Sequence, residues 1–291
     1  MLSAGEARLL DRFSLPLSDV AAASTSGPRD ASARGRGLEF QDHRPYQAGD
    51  DPRTIDWAID ARLRQLVVRV YQSEAHARVH LLLDVSGSMR LGSPAKLACA
   101  ARIAAALSYV AAARGDAVGL ATFADAVRIR IAPATGRAQL FRVLDALSRI
   151  EADGVSAIGR VLTGYAGAVP RPGLAVVLSD FFDTGPVLDG LRALLYRGLV
   201  PAVIQIVSDE ELDPVITEDV ELVDVEQPDQ PGILAGPAVL AAYRSRMEDH
   251  SAAVRALCVQ SGSPWLRLPS SASFDEVVRA CVGARLLAPL G

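Results

Sequence analysis

The chain has 291 residues, of which half are apolar and 22% are charged, and its formal net charge is −4. This composition is typical of a folded globular protein and excludes a collagen-like or wholly disordered chain. Because basic residues are not in excess, nucleic acid is not an expected partner. The three cysteines are far apart and form no C-x-x-C pair, so neither a zinc site nor a redox motif is indicated.

The first 75 residues are predicted to precede the main domain. A short amphipathic stretch near residues 5–13 carries charges every few positions, unlike the apolar run of a secretory signal. Residues 21–37 are rich in Ser, Gly and Arg, so that residues 1–35 are predicted to form a helix and a flexible loop. In residues 36–75 the pattern changes to short extended pieces around turns, with a strand predicted at "RQLVVRVYQSE".

From residue 76 to residue 288, short apolar strands alternate with helical patterns. The predicted strands are "RVHLLLDV", "AVGLATF", "AVRIRIA", "LAVVLSD" and "VPAVIQIVS". The stretches "EDVELVDVEQP" and "PWLRLP" are expected to complete the same domain. The predicted helices cover residues 94–114, 137–149, 157–168, 186–198, 237–260 and 274–287. This order is typical of crossover units and predicts an α/β fold, a doubly wound and mainly parallel sheet with helices on both faces. The uniformly apolar strands suit the centre of such a sheet.

The longest apolar helical pattern, "KLACAARIAAALSYVAAAR", is not predicted to cross a membrane. It is rich in Ala rather than Leu, and Arg102 interrupts it. A membrane span needs about 20 strongly apolar residues. The chain is therefore expected to be cytoplasmic, without an integral membrane segment.

Hydroxyl and carboxylate side chains lie where several of these elements end or begin. The candidate ligands are Asp84, Ser86, Ser88, Ser156 and Asp180. Ligands of open parallel sheets bind at the carboxyl ends of the strands. Hard oxygen ligands from separate loops suit Mg²⁺ or Mn²⁺, which keep several waters. The sequence thus predicts one divalent-cation site at this edge of the sheet, and it leaves open whether Asp183 takes part.

The motif Asp-x-Ser-x-Ser also has a purely structural interpretation. Asp and Ser side chains readily bond nearby backbone amides, so these residues could cap the following helix or stabilise a turn. The presence of candidate oxygens on three separate loops favours the metal site over this alternative.

Asp-x-Ser-x-Ser followed by Met, with a later hydroxyl loop and a later Ser-Asp after a strand, resembles the metal-ion-dependent adhesion site of von Willebrand factor type A domains. By this resemblance, Asp84, Ser86 and Ser88 match the first ligand loop. Ser156 matches a position usually held by Thr, and Asp180 matches the acidic residue of the third loop. The resemblance implies a von Willebrand factor A-like fold over residues 76–288.

The segment "RPYQAGDDPRTIDWAIDAR" resembles the signature of a bacterial family catalogued as domain of unknown function 58. The matching residues are Arg44, Tyr46, Gly49, Asp50, Asp51, Arg53, Ile55, Asp56, Trp57, Ala61 and Arg62. Members of that family resemble chaperone-like adaptors that act beside MoxR-type AAA+ ATPases. The resemblance, which covers roughly residues 36–285, implies a metal-dependent protein-binding role, with such an ATPase or its client as partner.

This signature segment could contact a partner directly, or it could be an ion-paired plug with Ile55 and Trp57 buried against the sheet. We favour the plug, because paired Arg and Asp residues around a Trp can fix a loop by bidentate hydrogen bonds.

The main alternative is a phosphohydrolase of the haloacid-dehalogenase type, with Asp84 as nucleophile, Mg²⁺ nearby and Lys96 as the phosphate-binding cation. The acid/base aspartate of that family would fall at Ser86, which cannot transfer the proton at neutral pH. A serine hydrolase is not indicated either, since "GVSAIG" is not a G-x-S-x-G elbow and no His is placed to activate a serine. The chain is therefore predicted not to be an enzyme.

Overall fold

The computed structural model describes residues 2–16, 39–47, 52–72, 77–183, 185–214 and 220–290. The chain divides into two compact units. The smaller unit is Ala21–His76, and the larger one joins Met1–Val20 to Ala77–Gly291. The loop predicted at residues 21–37 lies outside the described residues, as do Gly49, Asp50 and Asp51 of the signature segment.

The strands and helices are numbered in chain order. The strands are β1 (Phe13–Ser14), β2 (Glu39–Pro45), β3 (Val67–Gln72), β4 (Arg78–Asp84), β5 (Ala117–Phe123), β6 (Val127–Ala134), β7 (Gly173–Ser179), β8 (Leu199–Val207), β9 (Val220–Leu222), β10 (Ile233–Ala235), β11 (Trp265–Pro269) and β12 (Ala288–Pro289). The α-helices are α1 (Ala4–Leu10), α2 (Trp57–Leu63), α3 (Lys96–Ala113), α4 (Arg137–Leu147), α5 (Ile158–Ala168), α6 (Val187–Tyr196), α7 (Asp209–Leu212), α8 (Pro237–Gln260) and α9 (Phe274–Gly283). Short 3₁₀ turns cover Pro52–Thr54 and Gly87–Arg90.

The larger unit is built on a six-stranded sheet with the order β11-β8-β7-β4-β5-β6. All neighbouring strands pair in parallel except β6, which is antiparallel to β5. The predicted α/β fold with a mainly parallel sheet is confirmed. The chain leaves β4 toward β5 on one side and leaves β7 toward β8 on the other. Strands β4 and β7 therefore flank the switch point, where sheets of this kind bind ligands.

Both faces of the sheet are covered, which accounts for the uniformly apolar central strands. On β4, Leu81 and Leu83 pack with residues of α1, α3, α4 and α9, whereas Leu82 packs on the opposite face with residues of α5, α6 and α8. Successive side chains of a strand point to opposite faces, so all three leucines are buried. This packing holds the end of β4 rigidly in place.

Helix α3 corresponds to the longest apolar helical pattern of the sequence, "KLACAARIAAALSYVAAAR". By length and composition alone it could cross a membrane, and 61% of its residues are buried inside the larger unit. Its contacts with four strands of the sheet account for its apolar composition, because a core helix has the same character.

The last predicted helix is shorter than expected, because α9 ends at Gly283 rather than at residue 287. Arg285 has a φ of +58°, a left-handed conformation that stops the helix. The chain then turns back, and Leu286 and Leu287 are buried in the core. The apolar character of these two leucines predicted a longer helix. It is explained instead by their burial in a turn.

In the smaller unit, β2 and β3 form an antiparallel pair, and Asp56 caps α2. Asp56 Oδ1 accepts hydrogen bonds from the Ala58 and Ile59 amides at 3.0 and 3.3 Å. Ile55 is 8% exposed, as expected, but Trp57 is 60% exposed, so its predicted burial is wrong. The hydrogen-bonded Asp56, rather than a buried tryptophan, fixes the start of the helix.

His80 is a buried titratable residue on β4, and it is not one of the candidate ligands. Its Nδ1 lies 2.9 Å from Tyr165 Oη, and its Nε2 has no hydrogen-bond partner among the described residues. Burial, with smaller contributions from the charges of Arg78 and Arg130, lowers the pKa of His80 to about 4 from its usual 6.5. The folded protein therefore keeps His80 neutral at pH values where the unfolded chain protonates it.

This difference predicts that His80 makes the protein less stable as the pH falls from 6.5 toward 4. Lowering the pH to 5 should cost about 2 kcal/mol through this group alone. Urea unfolding of wild type and His80→Gln at pH 7.5 and pH 5 measures it, because the variant lacks the titrating ring. We expect the stability of wild type relative to the variant to fall by that amount. A pH-independent difference would show that His80 does not titrate in this way.

Candidate metal centre

Asp84 lies at the carboxyl end of β4 and is fully buried. Its Oδ2 accepts a hydrogen bond of 2.7 Å from the Ser179 hydroxyl, and its Oδ1 accepts one of 2.9 Å from the Ser86 amide. The Ser156 hydroxyl also approaches Oδ2, at 3.4 Å. The carboxylate is therefore oriented by residues from three separate parts of the chain.

The candidate hydroxyl groups surround this carboxylate. Ser86 Oγ lies 3.1 Å from Ser88 Oγ. Ser88 and Ser156 are half-buried. Asp84, Ser86, Ser88 and Ser156 thus form one connected group of oxygens, part of which faces the surface.

Two backbone hydrogen bonds join the loop after β4 to the loop that carries Ser156. The Gly87 amide donates to the Gly154 carbonyl, and the Asp153 amide donates to the Val85 carbonyl, both at 2.8 Å. Gly154 has a φ of +86°, a left-handed conformation that favours glycine, and a Cβ there would displace the end of the Arg128 side chain. These contacts hold Ser156 beside the first loop although 72 residues separate it from Asp84.

Asp180 follows β7, the strand that pairs with β4, and is also buried. Its Oδ2 accepts a hydrogen bond of 2.7 Å from Lys96 Nζ, and its Oδ1 accepts one of 3.1 Å from the Phe182 amide. The structure therefore places Asp180 on the same edge of the sheet as Asp84, but in an ion pair. A cation bound by Ser86, Ser88 and Ser156 would contact the Asp180 carboxylate alongside Lys96, or would reach it through a water molecule.

Lys96, the first residue of α3, is fully buried and bonds to two carboxylates. Besides Asp180, its Nζ donates to Glu211 Oε1 at 2.5 Å. Burial by itself lowers the pKa of Lys96, but the charges of Asp180 and Glu211 outweigh it and raise the pKa above its ordinary value. Lys96 therefore remains charged, and Glu211 is a partner that the sequence did not reveal.

The charges of this region are unbalanced. Asp84 forms no ion pair with any Lys or Arg that the structure describes, and the Lys96 ammonium is paired with two other carboxylates, Asp180 and Glu211. Burial, and then the charge of Asp180, raises the pKa of Asp84 to about 7. Because a buried carboxylate without a cationic partner is costly, this position favours an added positive charge.

A divalent cation fits this set of oxygens. Among the described residues, no three His, Cys, Asp or Glu side chains are grouped as metal ligands, so the serine hydroxyls would have to contribute. Mg²⁺ and Mn²⁺ accept such a set, since they bind hard oxygens, use one or two carboxylates and retain waters.

Asp183, whose part in the site was left open, lies in a turn of its own loop. Its Oδ1 accepts a hydrogen bond of 2.8 Å from the Gly185 amide, and the side chain is half-buried. This local hydrogen bond stabilises the turn and gives Asp183 a structural role there.

Sequence reasoning missed Glu226, which reaches the candidate site from the segment after β9. Its Oε1 accepts a hydrogen bond of 3.2 Å from the Ser88 amide, and its Oε2 accepts one of 2.8 Å from the Ser156 amide. Glu226 lies 138 and 70 residues away from these two serines in the chain. No local pattern in the sequence signals such a contact.

Comparison with known proteins assigns the chain to a family. A family profile described as "Protein of unknown function DUF58" matches residues 42–253. The chain belongs to this family. Proteins with similar sequences include uncharacterized proteins from Mycobacterium bovis and Mycobacterium tuberculosis, which are 30% identical over 268 residues. The alignments cover 86% of this chain and 81% of each relative. The family resemblance inferred from the signature segment is confirmed.

Among solved structures, a conserved hypothetical protein BatB from Bacteroides thetaiotaomicron aligns with a TM-score of 0.44 and 17% identity, covering 71% of this chain and 99% of that one. An aerotolerance-related membrane protein from Bacteroides fragilis aligns with a TM-score of 0.47 and 16% identity, covering 72% and 98%. Similarity at this level carries no argument about function.

Proposed function

We propose that this DUF58 protein is a non-enzymatic adaptor that binds another protein through a divalent cation, Mg²⁺ or Mn²⁺. Asp84, Ser86, Ser88 and Ser156 would hold the cation, with Asp180 contributing directly or through water. In this proposal the larger unit is a von Willebrand factor A-like domain with a metal-ion-dependent adhesion site. The observation that supports it best is the buried Asp84 carboxylate, which lies among the hydroxyl groups of Ser86, Ser156 and Ser179 and has no cationic side-chain partner among the described residues.

The binding role follows from the charges of the ligands. A bound cation would supply a positive charge that one or two carboxylates and neutral hydroxyls neutralise incompletely. A carboxylate from another protein is then attracted strongly, because the site is partly shielded from water. The chain's own residues orient Asp84 through Ser179 and the Ser86 amide, so that the ligands are positioned before a partner arrives.

We propose a MoxR-type AAA+ ATPase or its client as the partner, and the cytoplasm as the location. The support for this partner is the family resemblance of the signature segment. We propose no catalytic role, because Ser86 stands where a phosphohydrolase needs a proton-transferring carboxylate, and because Lys96 is engaged by Asp180 and Glu211 rather than presented to a substrate.

Partner binding is expected to depend on the cation and on Asp84. The purified chain is titrated calorimetrically with a MoxR-type ATPase of the same organism, without nucleotide, in Mg²⁺ and in EDTA. We expect at least tenfold weaker binding in EDTA, and an equal loss for Asp84→Ala in Mg²⁺, since both remove the cation from this chain.

The variant separates the two proteins' contributions, because EDTA also strips metal from the ATPase whereas Asp84→Ala does not. Circular dichroism checks that the variant keeps its fold. Equal affinity under all three conditions would contradict the proposed function.

A further inference from the structure

Glu226 occupies the surface of the candidate metal centre with a carboxylate that belongs to this chain. Its two oxygens accept hydrogen bonds from the Ser88 and Ser156 amides, which belong to the two loops that carry the hydroxyl ligands. Both amides donate to Glu226, so a carboxylate is already the group that these two loops hold.

Glu226 packs closely on the first loop. A Cβ at Gly87 would lie 3.5 Å from Glu226 Cγ, an ordinary van der Waals distance, and 3.3 Å from the Gly154 carbonyl oxygen, a tight contact. The Glu226 amide in turn donates to Asp224 Oδ1 at 2.8 Å, which turns the segment so that the carboxylate faces the two loops.

The segment that brings Glu226 to the site follows a short strand. Among the described residues, β9 has three residues and pairs only with the three-residue β10. The exposed apolar side chains of this region include Leu222, Val223, Val225, Ile233 and Leu234. Glu226 forms no ion pair with a Lys or Arg in the part of the chain that the structure describes. Short strands and few buried apolar contacts are typical of segments that open locally.

We propose that Glu226 is an internal substitute for the partner's carboxylate, and that an Asp or Glu of the partner binds at the Ser88 and Ser156 amides by displacing it. The proposal deepens the proposed function and depends on it for the presence of a protein partner. The acidic residue of the partner then binds at these two amides. In the free chain, Glu226 blocks that position. Because two carboxylates cannot share the same two donors, displacement of Glu226 is required.

Removing Glu226 should therefore expose a carboxylate site. Acetate is the probe, and the amide resonances of Ser88 and Ser156 in the ¹⁵N-labelled chain are the readout, in Mg²⁺. We expect Glu226→Ala to bind acetate at least tenfold more tightly than wild type, with the largest shifts at these two amides. Glu226→Gln should bind at least threefold more tightly than wild type, since a neutral amide competes less well for the two donors.

Glu221→Ala is the matched control, because it removes an exposed glutamate of β9, whereas the two amides donate to Glu226 in the part of the chain that the structure describes. It should bind acetate as wild type does. Equal acetate affinity in wild type, Glu226→Ala and Glu226→Gln, or shifts confined to other amides, would overturn the proposal.

The proposed function is tested separately by calorimetric titration of wild type with Mg²⁺. An absence of Mg²⁺ binding would contradict the proposed function. Acetate binding to Glu226→Ala at the two amides, equal in Mg²⁺ and EDTA, would support displacement of Glu226 while contradicting the cation bridge.

Discussion

Lys96→Met is expected to lower the free energy of unfolding by about 3–5 kcal/mol in EDTA, the usual cost of removing one partner from a buried ion pair. Lys96 Nζ bonds to Asp180 at 2.7 Å and to Glu211 at 2.5 Å, and the lysine is fully buried. Methionine keeps the approximate volume of the side chain but leaves two carboxylates facing each other without a cation. Urea unfolding followed by circular dichroism measures the loss.

Two further variants make this prediction specific. The triple variant Lys96→Met, Asp180→Asn, Glu211→Gln should recover at least half of the lost stability, because it removes the unpaired charges together with the lysine. Arg192→Met, which breaks an exposed ion pair of 2.9 Å with Asp189, should change stability by at most about 0.5 kcal/mol. A small effect of Lys96→Met, or no recovery in the triple variant, would show that the charges do not determine the stability of this region.

Asp84→Asn is expected to weaken Mg²⁺ binding by at least about a hundredfold. Loss of an outer hydrogen-bond partner already costs 10–100-fold in metal affinity, and Asp84 is proposed as a direct ligand. Titration calorimetry with Mg²⁺ gives the dissociation constants. The asparagine keeps an oxygen for the Ser86 amide, and removal of an unpaired buried charge should not destabilise the fold in EDTA.

Asp183→Asn is the matched control for this variant. It makes the same chemical change on the same edge of the sheet, at a carboxylate that bonds only within its own turn among the contacts the structure describes. Its Mg²⁺ affinity should stay within twofold of wild type. Equal losses in both variants would indicate a diffuse effect of negative charge rather than a site at Asp84.

Much of the fold could be predicted because its signals are local. The strand β5 and helix α8 begin and end where their patterns begin and end, and the apolar run of β4 indicated correctly that both of its faces are covered. The end of α9 was missed because Leu286 and Leu287 are apolar in a buried turn as well as in a helix. The burial predicted for Trp57 is wrong because a plug was inferred from the Arg and Asp residues around it, whereas the side chain is exposed at the start of α2.

The candidate ligands could be grouped from the sequence because the carboxyl ends of parallel strands meet at one edge of a sheet. Their partners could not. Glu211 and Glu226 reach this edge from segments after β8 and β9, and only the packed chain brings them to Lys96 and to the serine amides. The sequence predicted a set of oxygens, whereas the balance of charge among them is a property of the fold.

A crystal structure of the chain grown in Mn²⁺, with anomalous scattering recorded near the manganese edge, shows whether Asp84 and the serines around it bind a cation. We expect one anomalous peak at coordination distance from Asp84, Ser86 and Ser88, next to Ser156, and its disappearance in crystals of Asp84→Asn. A structure without a peak at this edge of the sheet, or with a peak that persists in the variant, would contradict the claim that these residues form a metal centre.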